Sequence, residues 1–375
     1  MNILELCLSS GLGGLELYAF RSAQALSKKH TVLSVIQAQG KLIERYRQHP
    51  ELATHYLSYR RSYLPLINAR RLATLIDQNK IDVIHMHWGN DLALAALAKY
   101  FSKEKPALVY TRQMKITRSK DDYYHRFLYQ QMNQMLTITK VLEQDAKRFI
   151  ARFANRISTL YYGVAAPAQQ LSAADIKQKR ATLNFEQSDF IVGLFGRLED
   201  GKGQHLLIKA IAEAKLNGKI IKALIVGHEM NPGYKQILMK LANELTVGNQ
   251  IQFSDFVSDP QALMQICDCI ALTSYEETFG LVLPEAMRAG IAVIGSNAGG
   301  VPEIIDHEIT GLLFEPRNAH SLCRQIDRLH TDRQFKLDIA NAGKHKADTV
   351  FNQAEHFIKL EKLLFNTVSE RKTAV

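Results

Sequence analysis

Apolar and polar positions along the chain follow two alternating patterns, short apolar runs and longer segments of helical period. In the first half, the runs NILELCL, HTVLSVIQA, DVIHMH, ALVYTR and MLTIT predict strands. Amphipathic helices are predicted between them, as in LELYAFRSAQALSKK, NDLALAALAKYFSK and KVLEQDAKRFIARF. The second half repeats the rhythm with DFIVGLFG, KALIVG, IQFSDF, CIALTS, IAVIGS and GLLFEP. Such alternation is typical of parallel sheets covered by helices on both faces.

The two series, each of five or six strands, predict an α/β protein with two Rossmann-like domains whose parallel sheets face a central cleft. The pattern is interrupted between residues 163 and 189, around Gly163 and Pro167. We therefore predict an N-terminal domain over residues 1–165 and a C-terminal domain over 166–351. The amphipathic segment 351–368 fits either domain on its pattern alone. Only the tail 369–375 is expected to be disordered.

Composition describes a globular protein, with 46% hydrophobic and 22% charged residues. The net charge of +10 is concentrated in the first half, since residues 1–165 hold 24 Lys and Arg against 12 Asp and Glu. Basic pairs such as Arg60/Arg61 and Arg70/Arg71 suit an anionic membrane, a phosphorylated acceptor or nucleic acid, or form a plain solvated surface. The four cysteines lack disulfide or zinc spacing, which predicts buried thiols in a reduced, cytosolic protein.

The first predicted strand is followed by a glycine-rich turn containing Gly11, Gly13 and Gly14. Ligands of open parallel sheets bind beyond the carboxyl ends of the strands, so this turn is a candidate phosphate site. The third glycine of a dinucleotide fingerprint is replaced by Glu16, and no acid ends the second strand. These departures disfavour NAD or FAD and leave a ligand-free tight turn as the alternative.

The strand DFIVGLFG is followed by RLEDGKG, residues 197–203. Arg197 and Lys202 are placed so that two cations straddle a pyrophosphate, and Gly201 and Gly203 let the loop approach it closely. No G-x4-G-K-[ST] sequence occurs, which disfavours a P-loop NTPase.

The stretch SYEETFGLVLPEAMRAG, residues 274–290, follows another strand and carries both a glycine and a proline. Because proline fits only the first turn of a helix, the next helix is predicted to begin between Phe279 and Pro284. The amides around Phe279, Gly280 and Leu281 would then face a phosphate, and the acids Glu277 and Glu285 would reach hydroxyls of a sugar nucleotide. The alternative is an amphipathic loop whose acids face solvent. Downstream, the glycine pair at 299–300 predicts another turn of close approach.

Residues 277–285, ETFGLVLPE, resemble the E-x7-E motif of retaining GT-B glycosyltransferases like those of glycosyltransferase family 4. Further segments agree in order and spacing: GGLE at 13–16, DVIHMH at 82–87, YGV at 162–164, GRLEDGKG at 196–203, IVG at 225–227, AGGVPEII at 298–305 and GLLFEP at 311–316. The resemblance covers nearly the whole chain and is more specific in its second half.

The resemblance implies a nucleotide-sugar co-substrate, a UDP-, GDP- or ADP-sugar, with no cofactor and no metal ion. It implies that Glu285 binds the nucleotide ribose, that Glu277 contacts the donor sugar and that Arg197 and Lys202 neutralise the diphosphate. The remaining donor-binding positions that it implies are Gly13, Gly14, Phe279, Gly280 and Leu281. The family's last helix crosses back to the N-terminal domain, which would assign residues from about 352 to 375 there.

One departure from the family concerns proton transfer. Many relatives carry a histidine near the donor sugar after the strand ALVYT, where this chain has Gln113. Glutamine can hydrogen-bond a sugar hydroxyl, which keeps Gln113 a catalytic candidate beside Glu277, Arg197 and Lys202, but it does not shuttle a proton at neutral pH. Candidate acceptor residues are His85, His87, Arg112, Lys115 and His125, each weighed against a purely structural role.

The resulting functional hypothesis is a retaining, metal-independent glycosyltransferase. Its acceptor is expected to be a lipid-linked or lipopolysaccharide-type precursor at the cytoplasmic face of the membrane, where the basic N-terminal domain would bind anionic lipid as a peripheral protein. A nucleotide-sugar epimerase on the same scaffold and a nucleic-acid-binding protein are the alternatives.

Overall fold

A computed structural model describes residues 1–60, 62–255, 257 and 259–373. The chain divides into two compact units. Unit 1 comprises Met1–Tyr161 together with Ala354–Val375, and unit 2 comprises Tyr162–Gln353. The C-terminal segment therefore belongs to the same unit as the N-terminus.

Unit 1 is built on one parallel sheet of seven strands: β1 (Asn2–Cys7), β2 (Thr31–Gln37), β3 (Thr54–Leu57), β4 (Val83–Met86), β5 (Ala107–Arg112), β6 (Gln134–Thr137) and β7 (Ile157–Thr159). Its helices are α1 (Gly14–Ser27), α2 (Ile43–Arg47), α3 (Leu66–Gln78), α4 (Leu92–Phe101), α5 (Tyr123–Gln131) and α6 (Lys140–Phe149). The strand order is β3-β2-β1-β4-β5-β6-β7, so the order reverses between β1 and β4.

Two strands of this sheet were not predicted from the sequence, β3 and β7, and the predicted count of five or six was too low for unit 1. Both are edge strands of only four and three residues. An edge strand needs neither length nor apolar side chains on both faces, and THYL and IST provide no clear period. Their place in the sheet depends on pairing with β2 and β6.

The sheet of unit 1 is buried on both faces because successive side chains of a strand point to opposite sides. On one face, Leu4 and Leu6 of β1 join a core that includes Leu72 of α3 and Leu94 of α4. On the other face, Ile3 packs with residues of α1 and of the C-terminal helix α15 (Gln353–Thr373), among them Ala23, Leu360, Leu364 and Val368. The amphipathic C-terminal segment thus covers one face of the first sheet.

Unit 2 holds a parallel sheet of six strands: β8 (Phe190–Phe195), β9 (Ile221–Val226), β10 (Ile251–Ser254), β11 (Cys269–Leu272), β12 (Ala292–Ser296) and β13 (Leu312–Phe314). Its helices are α7 (Ala173–Thr182), α8 (Gln204–Leu216), α9 (Tyr234–Glu244), α10 (Pro260–Met264), α11 (Val282–Arg288), α12 (Val301–Ile304), α13 (Ala319–Thr331) and α14 (Arg333–Val350). The strand order is β10-β9-β8-β11-β12-β13, with the reversal between β8 and β11. The predicted α/β class with two parallel sheets is confirmed.

Two further expectations are answered by the structure. All four cysteines are buried and unbridged, which confirms the predicted buried thiols. The tail is helical through Thr373, so the expected disorder of 369–373 was wrong, while Ala374 and Val375 lie outside the described residues. Arg61 of the basic pair and Phe256 of the predicted strand IQFSDF also lie outside them. Within the described part of the chain, every helix is too short or too polar to span a bilayer.

Candidate active site

In unit 2, the loops that follow β8 and β11 meet where the strand order reverses, which is the usual ligand position in an open parallel sheet. The amide of Tyr275 donates to the carbonyl of Gly201 at 3.0 Å. The hydroxyl of Thr273 donates to the carbonyl of Lys202 at 2.7 Å. These bonds fix the loop carrying Arg197 and Lys202 against the loop carrying Glu277.

The ammonium group of Lys202 contacts the carboxylate of Glu277, and both side chains are largely shielded from solvent. Ser274 donates to the same carboxylate oxygen, Oε1, at 2.8 Å. A carboxylate held by two donors keeps a defined orientation, and its second oxygen can accept a further bond. The structure therefore brings together two residues that the sequence had assigned to different parts of one ligand.

Two glycines make this arrangement sterically feasible. Gly203 has a φ of +70°, and a Cβ atom there would lie 2.3 Å from the carbonyl oxygen of Thr273. Gly299 has a φ of +61°, and a Cβ atom there would lie 2.1 Å from the carbonyl oxygen of Glu277. The neighbouring amide of Gly300 donates to that same oxygen at 2.8 Å. The glycine pair 299–300 is thus a turn of close approach, and the group approached is the backbone of Glu277.

The helix after this loop, α11, begins at Val282, which confirms the predicted start between Phe279 and Pro284. Within the described residues, the amides of Phe279, Gly280 and Leu281 donate to no backbone carbonyl. The side chain of Phe279 is buried and packs edge-on against Tyr162 and Phe351, so only its backbone is suited to a ligand. Gly280 has a φ of +92° and lies against Leu272. This backbone conformation and this packing require a glycine there, apart from any approach of a ligand.

The two remaining donor candidates of unit 2, Arg197 and Glu285, are partly exposed. Arg197 pairs with Glu199 at 2.9 Å and keeps half of its side-chain surface in solvent. Gln204 donates to the carbonyl of Arg197 at 2.8 Å from the start of α8. Glu285 lies in the first turn of α11 and is half-buried. All these residues follow β8 or β11 in unit 2.

In unit 1, the glycine-rich turn after β1 is closed by Glu16. Its carboxylate accepts a bond from the Gly13 amide at 2.8 Å and contacts the hydroxyl of Ser9. Gly13 and Gly14 themselves are exposed. The Glu16 carboxylate thus caps the start of α1 by accepting from the amide of the N-cap residue Gly13.

A buried network lies at the centre of unit 1, around Glu5 of β1. Its carboxylate accepts bonds from Ser22 at 2.9 Å, His85 Nδ1 at 3.0 Å and His87 Nε2 at 2.5 Å. The other ring nitrogen of His85 bonds to Thr111 Oγ1 at 2.7 Å, so both nitrogens of His85 are engaged. His85 therefore makes its hydrogen bonds inside the network, and its contact with an acceptor stays a prediction.

The protonation of this network follows from its donors. Burial raises the pKa of Glu5, but the charges and hydrogen bonds of both histidines outweigh it and hold that pKa at about 2. Burial lowers the pKa of His87 to about 4, which makes the ring neutral at pH 7. Since Nε2 donates to Glu5, Nδ1 is then the acceptor nitrogen of His87. Glu5, His85 and His87 also lie close enough to hold a metal ion, but their mutual hydrogen bonds account for the geometry.

A pocket of about 630 Å³ opens at the carboxyl ends of β4 and β5 in unit 1. Five tyrosine and tryptophan side chains line it: Tyr63, Trp88, Tyr110, Tyr124 and Tyr129. The lining also includes five residues that the sequence analysis singled out: His87, Arg112, Gln113, Lys115 and His125. The structure therefore groups all acceptor candidates except His85 around one cavity.

Comparison with known families assigns both halves of the chain. Residues 175–346 match the family described as Glycosyl transferases group 1, and residues 12–166 match the family described as Glycosyltransferase Family 4. The protein belongs to the group 1/family 4 type of glycosyltransferases. The resemblance carried by the E-x7-E motif is thereby confirmed.

Curated relatives of this glycosyltransferase agree with the assignment. The chain is 24% identical to the N-acetyl-alpha-D-glucosaminyl L-malate synthase of Bacillus anthracis, over 76% of this chain and 74% of that protein. It is 30% identical to the D-inositol 3-phosphate glycosyltransferase of Nocardia farcinica, over 52% of this chain. The chain spans about half the length of the Nocardia protein, 47%, and of a Methanocaldococcus jannaschii glycosyltransferase, 54%.

The fold of the glycosyltransferase is GT-B. The crystal structure of Anabaena HepE in complex with UDP matches it with a TM-score of 0.85 and 24% identity, over 98% of this chain and all of that chain. At this identity the likeness shows the fold, and the roles of individual residues rest on the geometry of the glycosyltransferase itself.

Sequence reasoning missed several residues that shape these sites. Glu5 was read as part of an apolar strand, although a carboxylate inside NILELC is itself a signal because buried acids need partners. Ser274 and the role of Gly299 as a support for Glu277 were also missed. No local pattern gives these contacts, since they depend on loops brought together by the sheet.

Proposed function

We propose that this glycosyltransferase moves a sugar from a nucleotide-sugar donor bound by unit 2 to an acceptor bound by unit 1. The observation that carries the proposal is the meeting of the β8 and β11 loops, with Lys202 against Glu277 and Ser274. Cations and amides suit a diphosphate, and carboxylates suit sugar hydroxyls. A UDP-sugar is the preferred donor, since structures of HepE are described in complex with UDP and with UDP-glucose.

In the proposed reaction, the bond between the anomeric carbon and the diphosphate oxygen breaks, and the anomeric carbon bonds to an acceptor oxygen. Negative charge develops on the departing diphosphate, where Arg197, Lys202 and the amides of residues 279–281 would stabilise it. The acceptor proton passes to that diphosphate on the same face of the sugar. Such a path retains the anomeric configuration and assigns no proton transfer to Gln113.

The path also requires no metal ion, because the protein supplies the charges that stabilise the leaving group. Transfer is expected to survive dialysis against EDTA. Loss of transfer that returns with a divalent ion would contradict this part of the proposal and direct attention to Glu5, His85 and His87.

The decisive experiment on the donor site is Glu285→Ala, with Glu276→Ala as the matched control in the same loop. Glu276 is exposed and has no assigned role. We expect Glu285→Ala to abolish transfer from a UDP-sugar while the circular dichroism spectrum is unchanged, and Glu276→Ala to retain transfer. Equal activity of the two variants would refute the assignment. A screen of UDP, GDP and ADP sugars by thermal shift would identify the base, since a ligand stabilises the fold according to its occupancy.

The proposed acceptor is a cell-envelope glycan precursor at the cytoplasmic face of the membrane, with unit 1 bound to anionic lipid. Four apolar residues just before α3 and in its first turn support this, and we call them the apolar surface: Tyr63, Leu64, Leu66 and Ile67. Tyr63 and Ile67 keep 71% and 70% of their surface exposed, and the exposed Arg70 and Arg71 follow in the same helix. Apolar residues beside basic ones suit an anionic bilayer surface.

Vesicle sedimentation tests the membrane proposal. Vesicles containing phosphatidylglycerol should retain the protein better than vesicles of phosphatidylcholine, and Leu64→Ser/Ile67→Ser should weaken that retention. Ile220→Ser in unit 2 is the control, since Ile220 is also 68% exposed. Equal retention by both vesicles would exclude the membrane role.

Two other results would favour the alternative functions. Consumption of the nucleotide sugar without any acceptor would favour an epimerase, although the relatives named above are glycosyltransferases. Strongly salt-dependent binding of DNA would favour a nucleic-acid-binding protein.

A further inference from the structure

The pocket of unit 1 contains polar groups that the protein itself leaves without hydrogen-bond partners. His87 is fully buried, and its Nδ1 makes no hydrogen bond to any described residue. Gln113 is 7% exposed, and its Nε2 has no partner within the described part of the chain, which is also true of the buried Nε of Arg112. Buried polar atoms normally pair, because an unpaired one loses its hydrogen bonds to water and gains none in return. Three such groups on residues that line one cavity indicate a polar ligand.

The three groups specify the hydrogen bonds that this ligand must make. The Nε of Arg112 and the Nε2 of Gln113 are donors, so they require acceptor oxygens on the ligand. Nδ1 of the neutral His87 is an acceptor, because Nε2 already donates to Glu5, so it requires a donor such as a hydroxyl. The ligand therefore carries both acceptor oxygens and a hydroxyl group.

The charge of the pocket specifies an anion. Arg112, Lys115, Arg118 and Lys120 line it, and among the described residues no Asp or Glu side chain does. The neighbouring acids Asp121 and Asp122 are paired with Arg126 and His125, at 2.8 and 2.5 Å. Four cations around one cavity favour a group of two negative charges, such as a phosphate monoester, over a single carboxylate.

Arg112 is held in place before any ligand binds. Its Nη1 donates to the hydroxyl of Tyr110 at 3.1 Å, and its Nη2 donates to the carbonyl of Lys115 at 2.8 Å. Gly89 permits this geometry, since a Cβ atom there would lie 2.8 Å from the Tyr110 hydroxyl. A guanidinium fixed at both ends loses little conformational freedom when an anion binds.

We propose that the pocket of unit 1 binds an acceptor that carries a phosphate group beside a hydroxyl group. This inference rests on the proposed function, because it names the chemical class of the molecule that unit 1 contributes to transfer. Arg112 and Gln113 bind the phosphate oxygens, Lys115 and Arg118 supply charge, and His87 accepts a hydrogen bond from the hydroxyl. The aromatic side chains Trp88 and Tyr110 offer apolar faces to the carbon skeleton.

The test uses glycerol 3-phosphate as the probe and glycerol as its phosphate-free counterpart, with binding measured by titration calorimetry on the full chain. Glycerol 3-phosphate should bind and glycerol should not. Arg112→Gln should weaken binding about tenfold or more, because a charge-assisted hydrogen bond is lost. Arg118→Gln is the second variant, since Arg118 is exposed and its loss does not threaten folding; we expect a several-fold weakening.

Two control variants keep the net charge equal to that of the test variants. Arg45→Gln and Lys28→Gln remove exposed cations of unit 1 that lie outside the pocket. They should bind glycerol 3-phosphate like the unaltered protein. Equal weakening of binding in the control and test variants would overturn the proposal.

A second arm separates a soluble phosphate from a lipid headgroup. Vesicles of phosphatidylcholine with and without phosphatidic acid are compared for retention of the unaltered protein and of Arg112→Gln. Retention that requires both phosphatidic acid and Arg112 supports a lipid phosphate, while binding of glycerol 3-phosphate alone supports a soluble one. Failure of both overturns the proposal. UDP binding is measured on the same samples: UDP binding without phosphate binding refutes only this inference, whereas loss of UDP binding refutes the proposed donor site.

Discussion

Gly299 lies so close to Glu277 that a Cβ atom on Gly299 would stand 2.1 Å from the carbonyl oxygen of Glu277. The next amide, that of Gly300, donates to the same oxygen at 2.8 Å. The loop after β12 therefore supports the backbone of the acid that contacts Lys202. A residue of the proposed donor site is thus positioned by a turn from a different loop.

Gly299→Ala is expected to displace Glu277 and lower transfer at least tenfold per folded molecule. Gly218→Ala is the matched control: Gly218 has a similar φ of +75°, but a Cβ atom there would meet nothing within 4 Å. Both variants incur left-handed backbone strain of about 1–2 kcal/mol, and only the first clashes with the site. Equal losses of activity, normalised to the folded fraction by circular dichroism, would contradict the positioning role of Gly299.

Lys202→Met should weaken UDP binding by about 1.5–3 kcal/mol, or roughly ten- to a hundredfold, because a charge-assisted bond to the diphosphate is lost. The dissociation constant is measured by calorimetry. Lys209→Met on α8 is the control, since Lys209 is exposed and on the same stretch of chain. An unchanged affinity in Lys202→Met would remove Lys202 from the donor site.

Glu277→Gln should separate donor binding from transfer. Glu277 contacts Lys202, so removing its charge releases that ammonium for the diphosphate and eliminates a nearby negative charge. We expect UDP affinity to be retained or increased while the rate of transfer falls, because the orientation of the donor sugar is disturbed. A parallel fall of UDP affinity and transfer rate would argue that Glu277 acts mainly by supporting the nucleotide.

Glu5→Ala should destabilise unit 1 strongly. The carboxylate of Glu5 is 2% exposed and accepts bonds from Ser22, His85 and His87, which would all lose that partner. Breaking such a buried network costs about 3–5 kcal/mol. Urea unfolding followed by the fluorescence of Trp88, the one tryptophan of the chain, reports on this unit. Glu44→Ala, at an exposed ion pair with Arg47, should cost below about 1 kcal/mol; comparable losses would contradict the assignment.

The docking of α15 should depend on pH through His356. Its Nδ1 donates to the carbonyl of Tyr161 at 2.7 Å, and its Nε2 bonds to the hydroxyl of Tyr18 at 2.9 Å. Burial, with the charges of His85 and Lys359, lowers the pKa of His356 from 6.5 to about 4. The unfolded chain therefore binds the proton first as the pH falls, and stability is lost between about pH 6.5 and 4.

For His356, the resulting loss of unfolding free energy amounts to about 2 kcal/mol between pH 7.5 and 5. We expect the unaltered protein to lose more unfolding free energy over that interval than His356→Gln, which cannot take up the proton. His87, whose pKa is also about 4, contributes equally to both proteins and cancels in the comparison. Identical pH dependence of the two proteins would show that His356 is not buried as a neutral ring.

The sequence by itself determined the α/β class, the long central strands and the start of α11. Apolar runs mark strands buried on both faces, and Pro284 restricts where a helix begins, so these features are encoded locally. The spacing of Glu277 and Glu285 indicated the right family because a sequence motif is also a local feature of the chain. The edge strands β3 and β7 were not predicted, because three or four residues paired with one neighbouring strand are too few to show an alternation of apolar and polar positions.

Only the tertiary structure decided which polar atoms are paired and which are left for a ligand. Lys202 and Glu277 are 75 residues apart and meet because the order of strands reverses between β8 and β11. Glu5 and His85 are 80 residues apart and share a hydrogen bond. Glu5 also binds Nε2 of His87, and Nδ1 of His87 has no partner among the described residues. Periodicity is a property of neighbouring residues, whereas the partner of a buried polar group is set by strand order, which brings distant loops to one edge of a sheet.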